Sequence, residues 1–118
     1  MSKATYFKSL QDNAKFNRSF DAIITMQQLK FQITKYWSWG VSKVINYVVN
    51  PSNVLILSVN ANRLKGFVVI TLAANDTYSI DFLNSRYGKA FDSLTDVYFD
   101  ELTNVIDELI EKKSNYIY

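Results

Sequence analysis

The sequence contains no histidine and no cysteine among its 118 residues. Without imidazole and thiol groups, the chain has no Ser-His-Asp relay, no Cys-His pair and no zinc site of the finger or metalloprotease kind. Only carboxylates, lysines and hydroxyl groups remain for making or breaking bonds. We therefore predict no catalytic residue, no metal and no cofactor, and we expect a protein that acts by binding rather than an enzyme.

Glycine, proline and long apolar runs are also scarce. The only glycines, Gly40, Gly66 and Gly88, lie too far apart for a phosphate-binding loop or a dinucleotide fingerprint. The longest strongly apolar run, residues 67–74, is far shorter than the roughly 20 residues that span a bilayer. Residues 1–10 lack the apolar segment of a secretion signal. We expect a single domain over residues 1–118, with residues 1–18 able to form a helical arm, in the cytoplasm and without a membrane partner.

Charge is distributed unevenly along the chain. Residues 1–65 carry nine basic and two acidic side chains, a net charge of +7, and residues 66–118 carry four basic and nine acidic ones, a net charge of −5. This asymmetry has two interpretations. Either the basic half binds nucleic acid or another anionic partner, or the two halves attract each other within one chain or between copies.

Apolar spacing in the first half predicts helices more clearly than strands. It predicts a weak helix over residues 2–15 and a second helix that Ser19 caps and that ends at about Gln32. Residues 36–39 are predicted to be extended, followed by a turn at Gly40. Residues 41–48 combine helical spacing with β-branched side chains, so helix and strand both stay open there.

The second half has a clearer pattern. Apolar runs predict strands over residues 54–59, 67–72 and 77–82, and their short connections predict an antiparallel meander. In the third run, Tyr78, Ile80 and Phe82 alternate with Ser79 and Asp81, which places the two sets on opposite faces.

The most distinct helix is the last one. Its apolar stripe lies opposite an acidic side and consists of Leu102, Val105, Ile106, Leu109 and Ile110. Ser93 or Thr95 is predicted to cap it, and Lys112 and Lys113 suit its carboxyl end. The predicted fold is α+β: a three- to four-stranded antiparallel meander with this C-terminal amphipathic helix packed on one face. One or two N-terminal helices would cover the other side or an edge.

Three short segments between residues 51 and 112 are similar to known proteins. They are VITL at 69–72, DTY at 76–78 and VYFDEL at 97–102. With these segments the chain resembles small phage- and prophage-encoded proteins of unknown function. The resemblance implies a viral or mobile-element origin and supplies no catalytic residue. The order of strands followed by a helix is also similar to the transcriptional-coactivator and Whirly type of domain, which binds single-stranded DNA.

The most suggestive cluster combines aromatic and basic side chains. Proteins that hold single strands stack bases on aromatic rings and neutralise phosphates with cations. In an extended segment Trp37 and Trp39 share one face, which suits either base stacking or burial in a core or dimer interface. The predicted nucleic-acid contacts are Lys30, Lys35, Tyr36, Trp37, Trp39 and Lys43.

Two acidic sets have alternative interpretations. Asp76 and Asp81, with Lys89 nearby, are the kind of carboxylates that a magnesium nuclease uses, but a turn and a solvated strand face also account for them. The acidic side of the last helix is either an ordinary solvated face or a mimic of a phosphate backbone. That side consists of Asp100, Asp107, Glu108 and Glu111.

The leading hypothesis is a non-enzymatic viral or mobile-element accessory protein that binds nucleic acid, single-stranded for preference, through its basic and aromatic N-terminal half. The alternative is a protein-protein interaction module, such as a phage-encoded inhibitor of a host defence protein or a small structural subunit. The partner is thus a nucleic acid or a host protein, and in both cases we expect a homo-oligomer.

Overall fold

The computed structural model describes residues 2–49 and 51–111. The fold is α+β, as predicted, but its sheet is larger than expected. The elements in chain order are α1 (Lys3–Asn13), β1 (Asn17–Arg18), α2 (Ala22–Lys30), α3 (Ile33–Ser38), β2 (Lys43–Val49), β3 (Ser52–Asn60), β4 (Lys65–Ala73), β5 (Tyr78–Asn84), β6 (Lys89–Val97) and α4 (Leu102–Ile110).

Strands β2 to β6 form one antiparallel meander in the order of the sequence. The three predicted strands are confirmed as β3, β4 and β5. For residues 41–48 the sequence left both helix and strand open, and the structure has a strand there. This strand, β2, is rich in β-branched side chains and pairs with β3 from Lys43 to Val49. The two-residue strand β1 lies beside the end of β4, where Arg18 pairs with Leu72.

Strand β6 was not predicted. Its pairing with β5 shifts register in several places, and Asp96 takes a positive φ of 58°, so its residues do not alternate cleanly. Ser93 and Thr95 lie in this strand, and their predicted role as helix caps is therefore wrong. The chain enters α4 through a 3-10 turn, in which the Glu101 carboxylate accepts a hydrogen bond from the Tyr98 N–H at 3.1 Å. Lys112 and Lys113 lie outside the described residues.

Helices cover both faces of the sheet. α2, α3 and α4 pack on one face, where the core includes Leu55, Ile70 and Phe82. The predicted stripe of α4 is confirmed, with Leu102, Ile106 and Ile110 fully buried and Val105 and Leu109 at its margin. Tyr78, Ile80 and Phe82 face these helices, as the alternation predicts. α1 covers part of the opposite face, against Val54 and Ile56.

The first two helices, α1 and α2, are short, and a side chain caps the start of each. Ser2 caps α1 by accepting a hydrogen bond from the Thr5 N–H at 3.2 Å. The cap of α2 is Asp21, whose carboxylate accepts from the Ile23 N–H at 2.9 Å, so the prediction of Ser19 as the cap is wrong. α2 ends at Lys30, close to the predicted end at Gln32. Within residues 2–49 and 51–111, no helix has the length and apolar character needed to cross a membrane.

A half-buried group of hydrogen bonds around the Asp81 carboxylate attaches α1 to the sheet. The Tyr6 hydroxyl donates to one oxygen of Asp81 at 2.7 Å, and the Ser93 hydroxyl donates to the other at 2.6 Å. Tyr6 also packs against the Tyr87 ring, with 6.2 Å between ring centroids. Burial, and then the negative charge of Asp81, raise the pKa of Tyr6 far above its usual range.

Replacing Tyr6 with phenylalanine is expected to lower the free energy of unfolding by about 1.5–3 kcal/mol at neutral pH, the usual value of a hydrogen bond to a charged group. The free energy of unfolding should also depend on pH, in a direction that the raised pKa of Tyr6 determines. In the unfolded chain Tyr6 ionises near pH 10, whereas in the folded chain it stays protonated, so the wild type loses stability as the pH rises above about 10. Urea denaturation between pH 7 and pH 11 tests both points. The Tyr6→Phe variant should lose less stability over this range than the wild type, and an equal loss would contradict the assignment.

Candidate nucleic-acid interface

The six predicted contact residues are divided between the surface and the core. Trp39 is fully buried and Tyr36 is only 8% exposed. Their rings pack together with 5.6 Å between centroids, and the Trp39 indole N–H donates to Asp107 at 3.1 Å. Neither ring is available to stack on a base. The prediction of Tyr36 and Trp39 as contact residues is therefore corrected: both are core residues.

The reason is the local backbone. Residues 36–39, predicted to be extended, form the last turn of α3 and its C-cap. In a strand, residues two apart share a face, but on a helix they are separated by about 200°. Trp37 consequently points away from Trp39 and is 71% exposed. Trp37 is thus the one predicted aromatic contact that the structure leaves at the surface.

The three predicted lysines are all placed outside the core. The Lys30 ammonium lies 5.5 Å from the centroid of the Tyr36 ring. The Lys35 ammonium donates to the Asn104 side-chain oxygen at 2.9 Å, which ties α3 to α4. Lys43 is exposed at the first residue of β2. Lys30 and Lys35 therefore belong to the helical layer, whereas Lys43 lies at one end of the sheet.

The antiparallel topology collects further basic side chains at the same end as Lys43. β2, β4 and β6 begin at this end, and β3 and β5 finish there. We call it the basic end and define it by Lys43, Arg63, Lys65, Arg86 and Lys89. Arg63 lies over the Phe91 ring at 5.8 Å, and Lys89 forms an ion pair with Asp92 at 3.0 Å. The only signal for this convergence in the sequence is that the β3–β4 and β5–β6 connections must lie at the same end of a meander.

The opposite end of the sheet is acidic. It carries the cap of α2, the β4–β5 turn and the approach to α4, with Asp21, Asp76, Asp96, Asp100 and Glu101. Arg18 forms an ion pair with Asp76 there. The two ends of the sheet thus differ in charge, and the difference is partial, because Asp92 beside Lys89 and Glu111 beside the β3–β4 connection lie at the basic end.

The carboxylates of the nuclease alternative do not come together. Asp76 lies in the β4–β5 turn beside Arg18, while Asp81 lies further along β5 in its hydrogen bonds with Tyr6 and Ser93. Over residues 2–49 and 51–111, no three acidic side chains are grouped closely enough to hold a metal ion. Both carboxylates have structural roles in this arrangement.

Two residues of the acidic helix side also have structural partners. Asp107 accepts the hydrogen bond from the Trp39 indole. The Glu111 carboxylate accepts from the Asn62 backbone N–H at 2.8 Å, which attaches the end of α4 to the β3–β4 connection. Asp107 and Glu111, which belong to the four residues proposed to mimic phosphates, therefore make contacts within the fold.

Comparison with known proteins gives no information about function, so the function has to be inferred from the geometry of the site. No protein-family model, no curated protein and no solved structure matches the chain. The resemblance to phage proteins and the viral origin that it implies stay predictions.

Proposed function

We propose that this chain is a non-enzymatic binding domain that holds single-stranded nucleic acid at the basic end of its sheet. The observation that carries the proposal is the convergence of Lys43, Arg63, Lys65, Arg86 and Lys89 from three separate parts of the chain. Basic side chains that follow a surface neutralise successive phosphates, and this interaction supplies most of the affinity for nucleic acid.

Trp37 supplies the aromatic part of the proposed site. It lies on α3 one turn before Gly40, and Gly40 packs directly against Asn60 at the basic end of β3. A single strand that follows the basic end therefore passes the exposed face of an indole ring. Each base stacked on an aromatic side chain contributes about 1–3 kcal/mol. The proposed contacts therefore differ from the six that the sequence predicted: Tyr36 and Trp39 are removed, and four basic residues in or next to the two hairpin connections are added, namely Arg63, Lys65, Arg86 and Lys89.

A fluorescently labelled oligothymidine provides the first test. We expect anisotropy to report binding at low salt that weakens linearly in a plot of log affinity against log salt, with each phosphate contact contributing about −0.7 to the slope. The double variant K65E/R86E should weaken binding and make the slope shallower by about 1.4, since two contacts are lost.

The matched control is K8E/K15E, whose two lysines lie on α1 and the 3-10 turn after it. Both double variants change the formal net charge from +2 to −2. If binding depends on the basic end, the control should keep the slope of the wild type. Absence of any binding at low salt, or equal losses in the two double variants, would refute the proposal.

A protein partner is the second candidate, as for an inhibitor of a host protein or a small structural subunit. It is favoured by large apolar side chains at the surface, above all Phe31 at 83% and Ile23 at 71% exposure. Apolar contacts are far less sensitive to salt than phosphate contacts. Binding of a purified partner that persists at high salt, while oligothymidine does not bind, would select this candidate.

A further inference from the structure

The two edges of the sheet differ in how they are protected. An edge strand presents unpaired backbone groups to solvent, and proteins protect such edges with charges and bulges. β6 has both, since Lys89, Asp92 and Asp96 lie on it and its register is irregular. β2 pairs regularly with β3 from Lys43 to Val49, and Lys43 is its only ionisable residue apart from a tyrosine.

The surface beside β2 is apolar on the helical side of the sheet. Val44, Asn46 and Val48 share this side with α2, because they pair with Leu57, Leu55 and Asn53 of β3. Val44 and Val48 are 42% and 61% exposed. Between β2 and α2 runs a groove of about 350 Å³, lined by side chains that include Ile23, Met26 and Lys30.

We propose that β2 pairs with β2 of a second copy of this chain, antiparallel and about a two-fold axis at Asn46. In this register Val44 of one copy lies opposite Val48 of the other, and Ile45 lies opposite Tyr47. The axis stands perpendicular to the sheet, so the helical sides of both copies lie on the same side of one continuous ten-stranded meander. The proposal does not depend on nucleic-acid binding.

Charge complementarity favours a second copy as the occupant of this edge. α2 runs alongside β2. Its start lies at the Val48 end, since Asn53 accepts from the Phe20 N–H and donates to Asn46. Its last residue, Lys30, lies toward the Val44 end, since the Lys30 ammonium packs over Tyr36 of α3 and α3 ends where the Trp39 carbonyl accepts from the Asn60 N–H. The two-fold axis therefore turns the Lys30 end of one α2 toward the Asp21 end of the other.

The Lys43 residues of the two copies do not repel each other strongly in this register. They lie six strand residues apart, roughly 20 Å, and this distance exceeds the screening length in physiological salt.

A charge-swap pair of variants tests the register. In V44K/V48K, each new lysine lies opposite a new lysine of the other copy, and like charges opposite each other disfavour pairing. In V44E/V48K, the same positions bring opposite charges together. Native mass spectrometry and sedimentation should show wild type at twice 13.6 kDa, V44K/V48K with a dissociation constant raised about tenfold or more, and V44E/V48K as a dimer again.

Several outcomes would overturn the proposal. Wild type that stays monomeric up to about 1 mM would exclude a dimer of even weak affinity. Dimerisation unaffected by V44K/V48K would place the interface elsewhere, and failure of V44E/V48K to restore it would exclude this register. Circular dichroism identifies a variant that fails to fold.

A cross-linking measurement keeps the proposal testable if the lysine variant is unfolded. Because the chain has no cysteine, N46C introduces a single thiol at the two-fold axis. Directly opposite residues in an antiparallel pair have Cα atoms about 4.5–5.5 Å apart, within the range of a disulfide. Under mild oxidation N46C should form a covalent dimer, whereas the control T95C, on the exposed edge strand β6, should not. N46C that stays monomeric, or equal cross-linking of both, would contradict the dimer.

Discussion

Replacing Trp39 with alanine is expected to lower the free energy of unfolding by about 3–5 kcal/mol, the range for removing a large aromatic side chain from a core. Trp39 is fully buried between α3 and the sheet and is packed against Tyr36. Its removal leaves a cavity and also leaves Asp107 without the indole N–H that donates to it. Urea denaturation followed by far-ultraviolet circular dichroism measures the loss.

Trp37 provides a matched control two residues away. Because its side chain is exposed, we expect Trp37→Ala to change the free energy of unfolding by no more than about 0.5 kcal/mol. For affinity to oligothymidine we expect the opposite order, with the larger loss in Trp37→Ala. This variant lacks a stacking surface, and its binding free energy should weaken by about 1–3 kcal/mol for each base that stacks on the indole. Trp39→Ala should bind normally at temperatures where it is folded. Equal stability losses in the two variants would contradict the assignment of one tryptophan to the core and the other to the surface.

Gly66→Ala is the second substitution with a large expected effect. Gly66 lies between β3 and β5, where it pairs with Val59 and Asn84. A Cβ atom at this position would overlap the carbonyl oxygen of Leu83 and lie 2.8 Å from backbone carbons of Asn84. Overpacking a core usually costs about 1–3 kcal/mol, and we expect about 3 kcal/mol or more here, since backbone atoms cannot move aside as side chains do. Thermal unfolding of the purified variant measures the effect.

Gly88 is the control for this substitution. A Cβ atom there would meet the Asn84 side chain, with its amide nitrogen 3.1 Å away. The Asn84 side chain is held in place, because its Oδ1 accepts hydrogen bonds from the Arg86 and Gly88 N–H groups at 2.9 and 3.0 Å. It has to shift by only a few tenths of an ångström, so Gly88→Ala should cost about 1 kcal/mol, less than Gly66→Ala. A melting temperature for Gly66→Ala equal to that of wild type would show that β4 and β5 do not approach as closely as described.

The elements that periodicity predicted correctly have strong and unambiguous patterns. In β5, Tyr78, Ile80 and Phe82 alternate with polar residues, and α4 carries an uninterrupted apolar stripe. Each pattern reflects burial of one face, so it reports the element and its orientation together. β6 has no such pattern, because its bulges break the alternation and its solvent-exposed edge tolerates charged residues.

The candidate site was less predictable than the fold. Residues 36–39 were predicted to be extended, which would place Trp37 and Trp39 on one face, but α3 places one indole outside and the other inside. The basic end was not visible either, because Arg63, Lys65, Arg86 and Lys89 are separated along the chain from Lys43. Side chains from distant segments become neighbours only through strand pairing, and a pattern in one segment carries no information about that pairing.

By composition and local pattern alone, the amino-acid chain determined an α+β class, a meander of β3, β4 and β5, the amphipathic character of α4 and the lack of imidazole and thiol chemistry. These properties depend on residue types and on near neighbours in the chain. Tertiary structure alone decided which tryptophan is buried, which end of the sheet is basic, and which edge strand is left unprotected. These depend on contacts between residues far apart in the chain, where packing and strand register override local preference.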